Sequence, residues 1–276
     1  MTQSARPLTE LPPSALRSVR GVMTDIDDTL TRAGAIEPAA LEALHRLAAA
    51  GVPVVAITGR PMGWSLPFAS AWPVMAIVAE NGAVALIREG TGLTVEYAQD
   101  ESTRAINSAR LQAVAAQVLR EVPGAVLAQD SAGRVTDIAI DHSEFAHLPQ
   151  SRIDQAVALM RGHGMKATVS SIHINGWYGD HSKFTAADWM LRRLFGRSLQ
   201  SEIEQWIYVG DSTNDQLMFE HFPLSVGVAN LRDFAASLKV WPRYIAQRER
   251  GAGFAELANL LLAARAQTAG AGALLR

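Results

Sequence analysis

The sequence predicts an α/β protein with a Rossmann-like parallel sheet core and an inserted α+β cap domain. Two observations indicate this fold. Short, fully apolar runs alternate with helical segments, which is the pattern of parallel strands buried on both faces of a sheet. Between residues 100 and 178 this pattern stops, and runs of alternating apolar and polar residues predict a sheet with one buried face.

The predicted core begins with a strand that starts at Gly21, and a helix follows it. Pro38 stands at the start of that helix, leucines recur at helical spacing, and Gly51 follows its end. Continuous apolar runs are expected where a parallel strand is covered on both sides. Four such runs predict the other core strands, at residues 52–57, 74–79, 207–209 and 224–228.

The predicted cap alternates apolar and polar residues along its strands. In one strand Ile138 and Ile140 lie on one side, and Asp137, Ala139 and Asp141 lie on the other. We therefore expect one face of the cap sheet to be buried and the other to face water. The cap elements are predicted as a helix at 102–120, a strand at 134–140, a helix at 152–161 and a strand at 167–175.

The order of these elements places the cap inside the core sequence. Prolines punctuate the first 18 residues, which are expected to form a loose arm. The predicted limits are 1–18 for the arm, 19–98 and 180–266 for the core domain, and 99–179 for the cap domain.

Composition excludes several classes of function. The net charge of -2 and the lack of a clustered basic surface argue against a nucleic-acid partner. The absence of cysteine excludes disulfides, thiolate metal sites and a cysteine nucleophile. Neither a secretory signal nor a run of 18 apolar residues is found, so we expect no membrane span and a cytoplasmic location.

Polar side chains follow the apolar runs where each predicted strand ends. Asp25 and Asp27 end the first run, and residues two apart in a strand point to the same side. Two carboxylates held that close repel each other unless a cation or a proton lies between them. Thr58 and Asp211 end two other runs, and the carboxyl ends of parallel strands meet at one edge of the sheet. The sequence therefore predicts a magnesium site at this edge, with a carboxylate nucleophile.

Four motifs in this order resemble those of the haloacid dehalogenase superfamily. They are Asp25-Ile26-Asp27, Thr58-Gly59-Arg60, Lys183, and Gly210-Asp211-Ser212-Thr213-Asn214-Asp215. The turn Glu80-Asn81-Gly82-Ala83 resembles that of the type IIB members with a C2B cap. These members include sucrose-phosphate, mannosyl-phosphoglycerate and trehalose-phosphate phosphatases, and phosphomannomutases.

The resemblance implies a Mg²⁺-dependent phosphatase with an aspartyl-phosphate intermediate. Asp25 would be the nucleophile, and Asp27 would protonate the leaving group and then deprotonate water. Asp25, the backbone carbonyl of Asp27 and Asp211 would bind Mg²⁺. Asn214 and Asp215 would bind the ion directly or hold the residues that do. Two departures from the superfamily pattern, Asp28 and Phe184 in place of glycines, leave these roles intact.

The resemblance also implies how the phosphoryl group is bound. Thr58 and the backbone amide of Gly59 would hold its oxygens, and Lys183 would offset its charge. Arg60 would either reach the phosphate or cap its own helix. Asn81 is expected among the substrate-binding residues because it lies in the type IIB turn.

The last cap strand offers groups that suit a sugar. His173 and Asn175 share a face with Ser171, and Trp177 and Tyr178 follow at once. Sugar hydroxyls accept and donate hydrogen bonds, and a sugar ring stacks on tryptophan. We therefore expect His173, Asn175 and Trp177 to bind a sugar phosphate. The alternative is that this polar face only contacts water.

Two other functions remain open at this point. A phosphomutase of the phosphomannomutase type would need arginines in the cap for a second phosphate, and most of the cap arginines fall on predicted helices. A non-catalytic protein that binds a phosphate ligand would have no reason to keep five costly charged residues together. The cap arginines are Arg104, Arg110, Arg120, Arg134, Arg152 and Arg161.

Overall fold

The computed structural model describes the backbone of residues 5–273 and the side chains of residues 5–267. The strands are β1 Arg6–Pro7, β2 Gly21–Thr24, β3 Thr31–Arg32, β4 Ala35–Ile36, β5 Val54–Ile57, β6 Ala76–Ala79, β7 Val84–Glu89, β8 Gly92–Tyr97, β9 Val126–Leu127, β10 Asp137–Asp141, β11 Lys166–Val169, β12 His173–Trp177, β13 Trp206–Gly210, β14 Leu224–Gly227 and β15 Tyr244–Ile245. The helices are α1 Pro13–Ser18, α2 Pro38–Ala49, α3 Met62–Ala71, α4 Glu101–Glu121, α5 Gln150–Gly162, α6 Lys183–Phe195, α7 Leu199–Glu202, α8 Gln216–His221 and α9 Arg250–Ala273.

The described chain divides into two compact units. The first unit contains the chain up to Ile57, Trp72–Ala76, and the chain from Ala187 onward. The second unit contains Thr58–Ala71 and Ile77–Ala186. No described helix has both the length and the apolar character that crossing a membrane requires.

A parallel sheet forms the centre of the first unit. Six strands lie in the order β1-β15-β14-β13-β2-β5, and every neighbouring pair is parallel. All residues of β2, β5, β13 and β14 are buried, as expected for parallel strands covered on both faces. Helix α9 packs against α1 and α2. The predicted parallel α/β core is therefore confirmed.

The N-terminal segment is more ordered in its described part than the loose arm we predict. Strand β1 pairs with β15, and helix α1 begins at the second of two adjacent prolines. Leu8, Leu11 and Leu16 are buried, and their apolar area accounts for the order of this segment. Residues 1–4 lie outside the described residues.

The second unit contains a four-stranded antiparallel sheet, here called the cap sheet, in the order β11-β12-β10-β9. Ile140 of β10 pairs with Ile174 of β12, and Ile138 pairs with Gly176. These residues belong to one face, and the isoleucines pack in a core with side chains of α4 and α5. The predicted alternation, the two cap helices and the α+β character of this region are confirmed.

One predicted cap strand is wrong, because residues 167–175 form two antiparallel strands rather than one. β11 ends at Val169 and β12 begins at His173. Between them, the Ser170 hydroxyl accepts hydrogen bonds from the backbone amides of Ile172 and His173 at 3.3 and 3.0 Å. A serine side chain that binds nearby amides favours a turn over an extended strand. Ser171 therefore lies in this turn and not on the strand face with His173 and Asn175.

The polar face of the cap sheet is buried, although alternation predicts that it faces water. Asp137, Asp141, His173, Asn175 and Trp177 all belong to this face, and all are buried. The polar groups of Asp137, His173, Asn175 and Trp177 bind other residues of the second unit, as described below. The two-residue period therefore predicts correctly which residues share a face. It is wrong about the polar face, which is buried rather than exposed to water.

Candidate active site

Three buried carboxylates lie together at the ends of strands in the first unit. Asp25 follows β2, and Asp211 follows the neighbouring parallel strand β13. Asp215 follows one turn after Asp211. One carboxylate oxygen from each of the three lies within 4.8 Å of those from the other two. The structure thus brings together three of the five predicted metal ligands.

The chain turns sharply after Asp25. The Asp25 amide still donates to the Val209 carbonyl of β13, at 2.8 Å, which places Asp25 at the very end of the sheet. The Ile26 carbonyl then accepts from the amides of Leu30 and other turn residues. Asp27 lies in this turn with 8% of its surface exposed. It is outside the three-carboxylate cluster, and its role as acid and base stays a prediction.

Asp215 holds the backbone of the turn that carries Asp211. Its Oδ2 accepts hydrogen bonds from the amides of Asp211 and Ser212 at 3.0 and 3.2 Å, and its Oδ1 accepts from the buried Tyr208 hydroxyl. A side chain on Gly210 would clash with the Asp215 carboxylate, which explains the glycine before Asp211. Burial, followed by the nearby carboxylates, raises the pKa of Tyr208 well above its usual value, so this hydroxyl stays a proton donor.

Asn214 lies in the same turn as Asp215. Its side-chain oxygen accepts from the Ser212 hydroxyl at 3.0 Å. This contact holds the turn, and it is compatible with either role predicted for Asn214. Direct binding of Asn214 to a metal ion stays a prediction.

Asn230 is a site residue that the sequence reading missed. Its Nδ2 donates to the Asp211 carboxylate at 3.3 Å and to the Asp28 carbonyl at 3.0 Å. Its Oδ1 accepts from the amide of Arg250, whose guanidinium pairs with the Asp28 carboxylate at 2.7 Å. The only signal in the sequence is that Asn230 follows the end of β14, at the same edge of the sheet.

The donor set of the cluster fits a hard divalent cation. It offers carboxylate oxygens, with no nitrogen or sulfur, and Mg²⁺ prefers such ligands. Three buried carboxylates this close repel one another strongly unless a positive charge lies among them. The first unit therefore supplies residues that suit Mg²⁺.

The loop Thr58–Arg60 belongs to the second unit and is held by its backbone. The Thr58 amide donates to the Val78 carbonyl at 2.8 Å, and the Thr58 carbonyl accepts from the Asn81 amide at 2.9 Å. The Thr58 hydroxyl accepts from the Arg60 amide at 3.0 Å. Among the described residues, none accepts a hydrogen bond from the Gly59 amide. This amide is the one predicted to bind a phosphoryl oxygen.

The Glu80–Asn81 turn has two distinct roles. Both residues adopt positive φ, which asparagine tolerates better than most residues. The buried Glu80 carboxylate accepts from the amides of Met62, Val135 and Thr136. Asn81 lies against Gly59, and its buried Nδ2 has no hydrogen-bond partner among the described residues. Asn81 thus has a side-chain donor without a partner among the described residues, whereas the Glu80 carboxylate already accepts hydrogen bonds from three backbone amides.

Arg60 pairs with carboxylates of the second unit. It makes two hydrogen bonds to Glu144, at 2.7 and 3.2 Å, and one to Asp130 at 3.2 Å. His173 lies 2.9 Å from the same Glu144 carboxylate. Burial would raise the pKa of Glu144, but the hydrogen bonds from His173 and Arg60 outweigh it and lower the pKa to about 2.

Asn175 and Trp177 are buried and hydrogen-bonded. Asn175 donates to the Asp137 carboxylate at 3.0 Å and to the Gly59 carbonyl at 3.3 Å. The Trp177 ring stacks on His181, and its Nε1 donates to the His181 carbonyl at 3.1 Å. Only 3% of Trp177 is exposed. Substrate contact by His173, Asn175 and Trp177 stays a prediction.

Lys183 begins helix α6 and is buried. The role predicted for its ammonium group is to offset the charge of a phosphoryl group, and this role stays a prediction. The second unit thus contains Thr58, Gly59, Arg60, Asn81 and Lys183. Within that unit, Gly59 lies against both Asn81 and Asn175.

Comparison with known sequences confirms the resemblance to the haloacid dehalogenase superfamily. The family described as haloacid dehalogenase-like hydrolase matches residues 22–119. The phosphoglycolate phosphatase of Methanothrix thermoacetophila is 26% identical over 260 residues, which are 89% of this chain and 98% of that protein.

Solved structures share the fold. The C-terminal domain of the C. albicans trehalose-6-phosphate phosphatase superposes with a TM-score of 0.67 at 14% identity, covering 94% of this chain and 98% of that chain. The sucrose-phosphatase of Synechocystis sp. PCC6803, solved with sucrose and phosphate, gives a TM-score of 0.63 at 17% identity, covering 89% and 98%. These similarities confirm the predicted fold class.

Proposed function

We propose that this chain, a haloacid dehalogenase-like phosphatase, hydrolyses a small sugar phosphate with Mg²⁺ and through an aspartyl-phosphate intermediate. The observation that carries the proposal is the cluster of Asp25, Asp211 and Asp215 at the ends of parallel strands. It offers a nucleophile and metal ligands in one place. Mg²⁺, when bound, would neutralise part of the charge of the phosphoryl group.

The proposed reaction has two steps. An Asp25 carboxylate oxygen attacks phosphorus, the bond from phosphorus to the ester oxygen breaks, and Asp27 donates a proton to the leaving alkoxide. Asp27 then takes a proton from water, and the water oxygen attacks phosphorus. This second attack breaks the bond to Asp25 and releases inorganic phosphate.

Residues of the second unit would bind the phosphoryl group. We assign the Thr58 hydroxyl and the Gly59 amide to its oxygens, and Lys183 to its charge. The unused Gly59 amide and the buried position of Lys183 support these roles. Asn81 would contribute its buried Nδ2, which has no hydrogen-bond partner among the described residues. We also propose residues 99–179 as the cap domain that selects the substrate.

The charges of the second unit favour an uncharged leaving group rich in hydroxyls. Arg60 and Arg134 already pair with Glu144, Asp130 and Asp137, so carboxylates outnumber guanidinium groups in this cluster. A second anionic group on the substrate would meet these carboxylates, whereas sugar hydroxyls would donate hydrogen bonds to them. His173 and Asn175 belong to the same polar face and would extend this surface.

Phosphoglycolate is the second candidate substrate. The relative from Methanothrix thermoacetophila is named a phosphoglycolate phosphatase and aligns with most of this chain. Phosphoglycolate carries a carboxylate, so its recognition would require a cation that the carboxylates of the second unit do not neutralise.

A mutase has less support, because each cap arginine has a local partner. Such arginines are not arranged to bind a second phosphate. Arg104 and Arg110 stack on tyrosines, Arg120 pairs with Glu121, Arg134 with Asp130 and Asp137, Arg152 with Gln155, and Arg161 with the Ala167 carbonyl.

The test is phosphate release from a panel that contains sugar phosphates, phosphoglycolate and glucose 1,6-bisphosphate as a mutase activator. The wild type is compared with Asp25→Asn, which keeps the size of the side chain but removes the nucleophile. We expect turnover of a sugar phosphate only with Mg²⁺, and a loss of about 10⁴-fold or more in Asp25→Asn.

Three outcomes would contradict parts of this proposal. Turnover that persists in Asp25→Asn would rule out the aspartyl-phosphate. If turnover is concentrated on phosphoglycolate, then phosphoglycolate and not a sugar phosphate is the substrate. Conversion of one sugar phosphate into its isomer, dependent on the bisphosphate, would favour the mutase.

A further inference from the structure

We propose that Arg134 is a positioning residue for the phosphoryl-binding loop, and that it acts, with Asn175, through the Gly59 carbonyl. The inference rests on the proposed function, since it assumes that the Gly59 amide binds a phosphoryl oxygen. It adds a residue that lies 75 positions away from the loop in the sequence. No motif of the chain includes Arg134.

Two side-chain donors converge on the Gly59 carbonyl. Arg134 Nη1 donates to it at 3.0 Å, and Asn175 Nδ2 donates at 3.3 Å. The Asp137 carboxylate joins the two donors, because it accepts from Arg134 Nη1 at 2.8 and 3.0 Å and from Asn175 Nδ2 at 3.0 Å. Gly59, Arg134, Asp137 and Asn175 therefore form one hydrogen-bonded network within the second unit.

Arg134 is fixed in place by burial and by its partners. Only 2% of its side chain is exposed, and the Asp137 side chain is fully buried. Nη2 of Arg134 pairs with Asp130 at 3.1 Å. A buried guanidinium that donates in several fixed directions has little freedom to move, because each displacement would break a charge-assisted hydrogen bond.

The network determines where the Gly59 amide points. The Asn81 amide fixes the Thr58 carbonyl, which belongs to the same peptide plane as the Gly59 N–H. Arg134 and Asn175 fix the carbonyl of the next peptide plane, on the other side of Gly59. A glycine between two fixed peptide planes keeps one backbone conformation despite its intrinsic freedom. The unused amide is thereby held ready for an acceptor.

A cavity beside Arg134 makes this role testable by chemical rescue. Its volume is about 370 Å³, and Arg134, Asp137, Ser131 and Gln112 are among the residues that line it. The buried Nε of Arg134 has no hydrogen-bond partner among the described residues. If the side chain is truncated, a free guanidinium ion has both a space to enter and the carboxylates of Asp130 and Asp137 to bind.

The experiment compares Arg134→Ala and Arg134→Lys with wild type in the presence of Mg²⁺. The matched control is Arg120→Ala, which removes an exposed guanidinium that pairs with the neighbouring Glu121. For each protein we would measure kcat, KM, inhibition by inorganic phosphate, the Mg²⁺ dissociation constant and the unfolding temperature. The Arg134→Ala assay is repeated with guanidinium chloride and with sodium chloride at equal ionic strength.

We expect Arg134→Ala to lower kcat/KM by about 100-fold, the effect of a displaced binding group. The inhibition constant for inorganic phosphate should rise about 10-fold, which corresponds to the loss of one hydrogen bond to the phosphate. The Mg²⁺ dissociation constant should not change, because its ligands are in the first unit. Arg134→Lys should unfold near the wild-type temperature yet stay about 10-fold less active, because lysine keeps the charge without the forked donors.

Guanidinium chloride should restore part of the activity of Arg134→Ala, and sodium chloride should not. The proposal is overturned if Arg134→Ala keeps the wild-type kcat/KM. The proposal is also overturned if the fraction of activity that Arg134→Ala loses equals the fraction of that variant that is unfolded, and guanidinium restores no activity. Turnover by the wild type separates the two hypotheses: if neither wild type nor Arg120→Ala hydrolyses any substrate, the proposed function fails, and the positioning role fails with it.

Discussion

Single uncharged residues determine the geometry of the charged cluster in the first unit. Asn230 joins the Asp211 carboxylate to the Asp28 carbonyl, and Tyr208 donates to Asp215. Carboxylates that bind a metal are commonly oriented by such hydrogen bonds. The position of Asp211 therefore depends on a residue with no metal-binding role of its own.

Replacing Asn230 should weaken Mg²⁺ binding. Asn230→Ala removes the donor to Asp211, and we expect the Mg²⁺ dissociation constant, measured by titration calorimetry, to rise about 10-fold. Asn259→Ala is the control, because Asn259 is exposed and bonds Arg46 on the surface. Equal Mg²⁺ affinities in wild type and Asn230→Ala would show that Asp211 does not need this hydrogen bond.

At the scale of elements, a polar turn decided the shape of the cap sheet. The sequence from 167 to 175 has the alternation of one strand, yet Ser170 ends β11 and starts a turn before β12. The Ser170 amide also donates to the His173 carbonyl at 2.9 Å, which closes the turn. Local hydrogen bonding therefore prevailed over the periodicity of the side chains.

Ser170→Ala should destabilise the protein, and Ser171→Ala should not. The Ser170 hydroxyl satisfies two backbone amides, so its loss should cost about 1–2 kcal/mol. The Ser171 hydroxyl is buried and has no hydrogen-bond partner among the described residues. Denaturant unfolding of the two variants measures the difference, and equal stabilities would refute a role for the Ser170 hydroxyl.

Over the whole molecule, buried carboxylates bind residues that are far apart from them in the chain. Arg60 and Glu144 are 84 positions apart, and Glu80 and Thr136 are 56 apart. Such pairs need hydrogen-bonded partners on several sides to offset the free-energy cost of burying their charges. They tie the loop after β5 and the turn after β6 to the segments that flank β10 within the second unit.

The Glu144 network should make stability depend on pH in acid. The pKa of Glu144 is lowered to about 2, so the ionised carboxylate stabilises the folded state above pH 4.5, and this stabilisation is lost as the pH falls from about 4.5 to 2. Glu144→Gln lacks this stabilisation, and because solvent partly screens the charges, the difference in stability from wild type should be on the order of 1–2 kcal/mol at pH 6. It should shrink toward pH 2.

Thermal unfolding of both proteins from pH 2 to 7 measures this effect. Glu42→Gln, at an exposed position of α2, is the control and should follow wild type throughout. A difference between wild type and Glu144→Gln that stays constant down to pH 2 would contradict the lowered pKa.

The parts that could be predicted are those with a local physical cause. Asp25 and Asp211 end apolar runs, and parallel strands in one sheet bring such ends together whatever the rest of the chain does. The alternation along β10 likewise assigned Ile138 and Ile140 to the apolar face, which packs against α4 and α5. The partners of Asn230, Glu80 and Arg134 could not be found in this way, because nothing in the immediate sequence of these residues marks them.

By itself, the sequence determined the fold class and the cluster of aspartates, since each depends on periodicity or on the end of a strand, and the order of four motifs carried the superfamily resemblance. Only the tertiary structure decided that the polar face of the cap sheet is buried and that Arg134 reaches Gly59. The physical reason is that burial and hydrogen bonding depend on distant residues. A polar side chain looks the same in sequence whether it faces water or a buried partner.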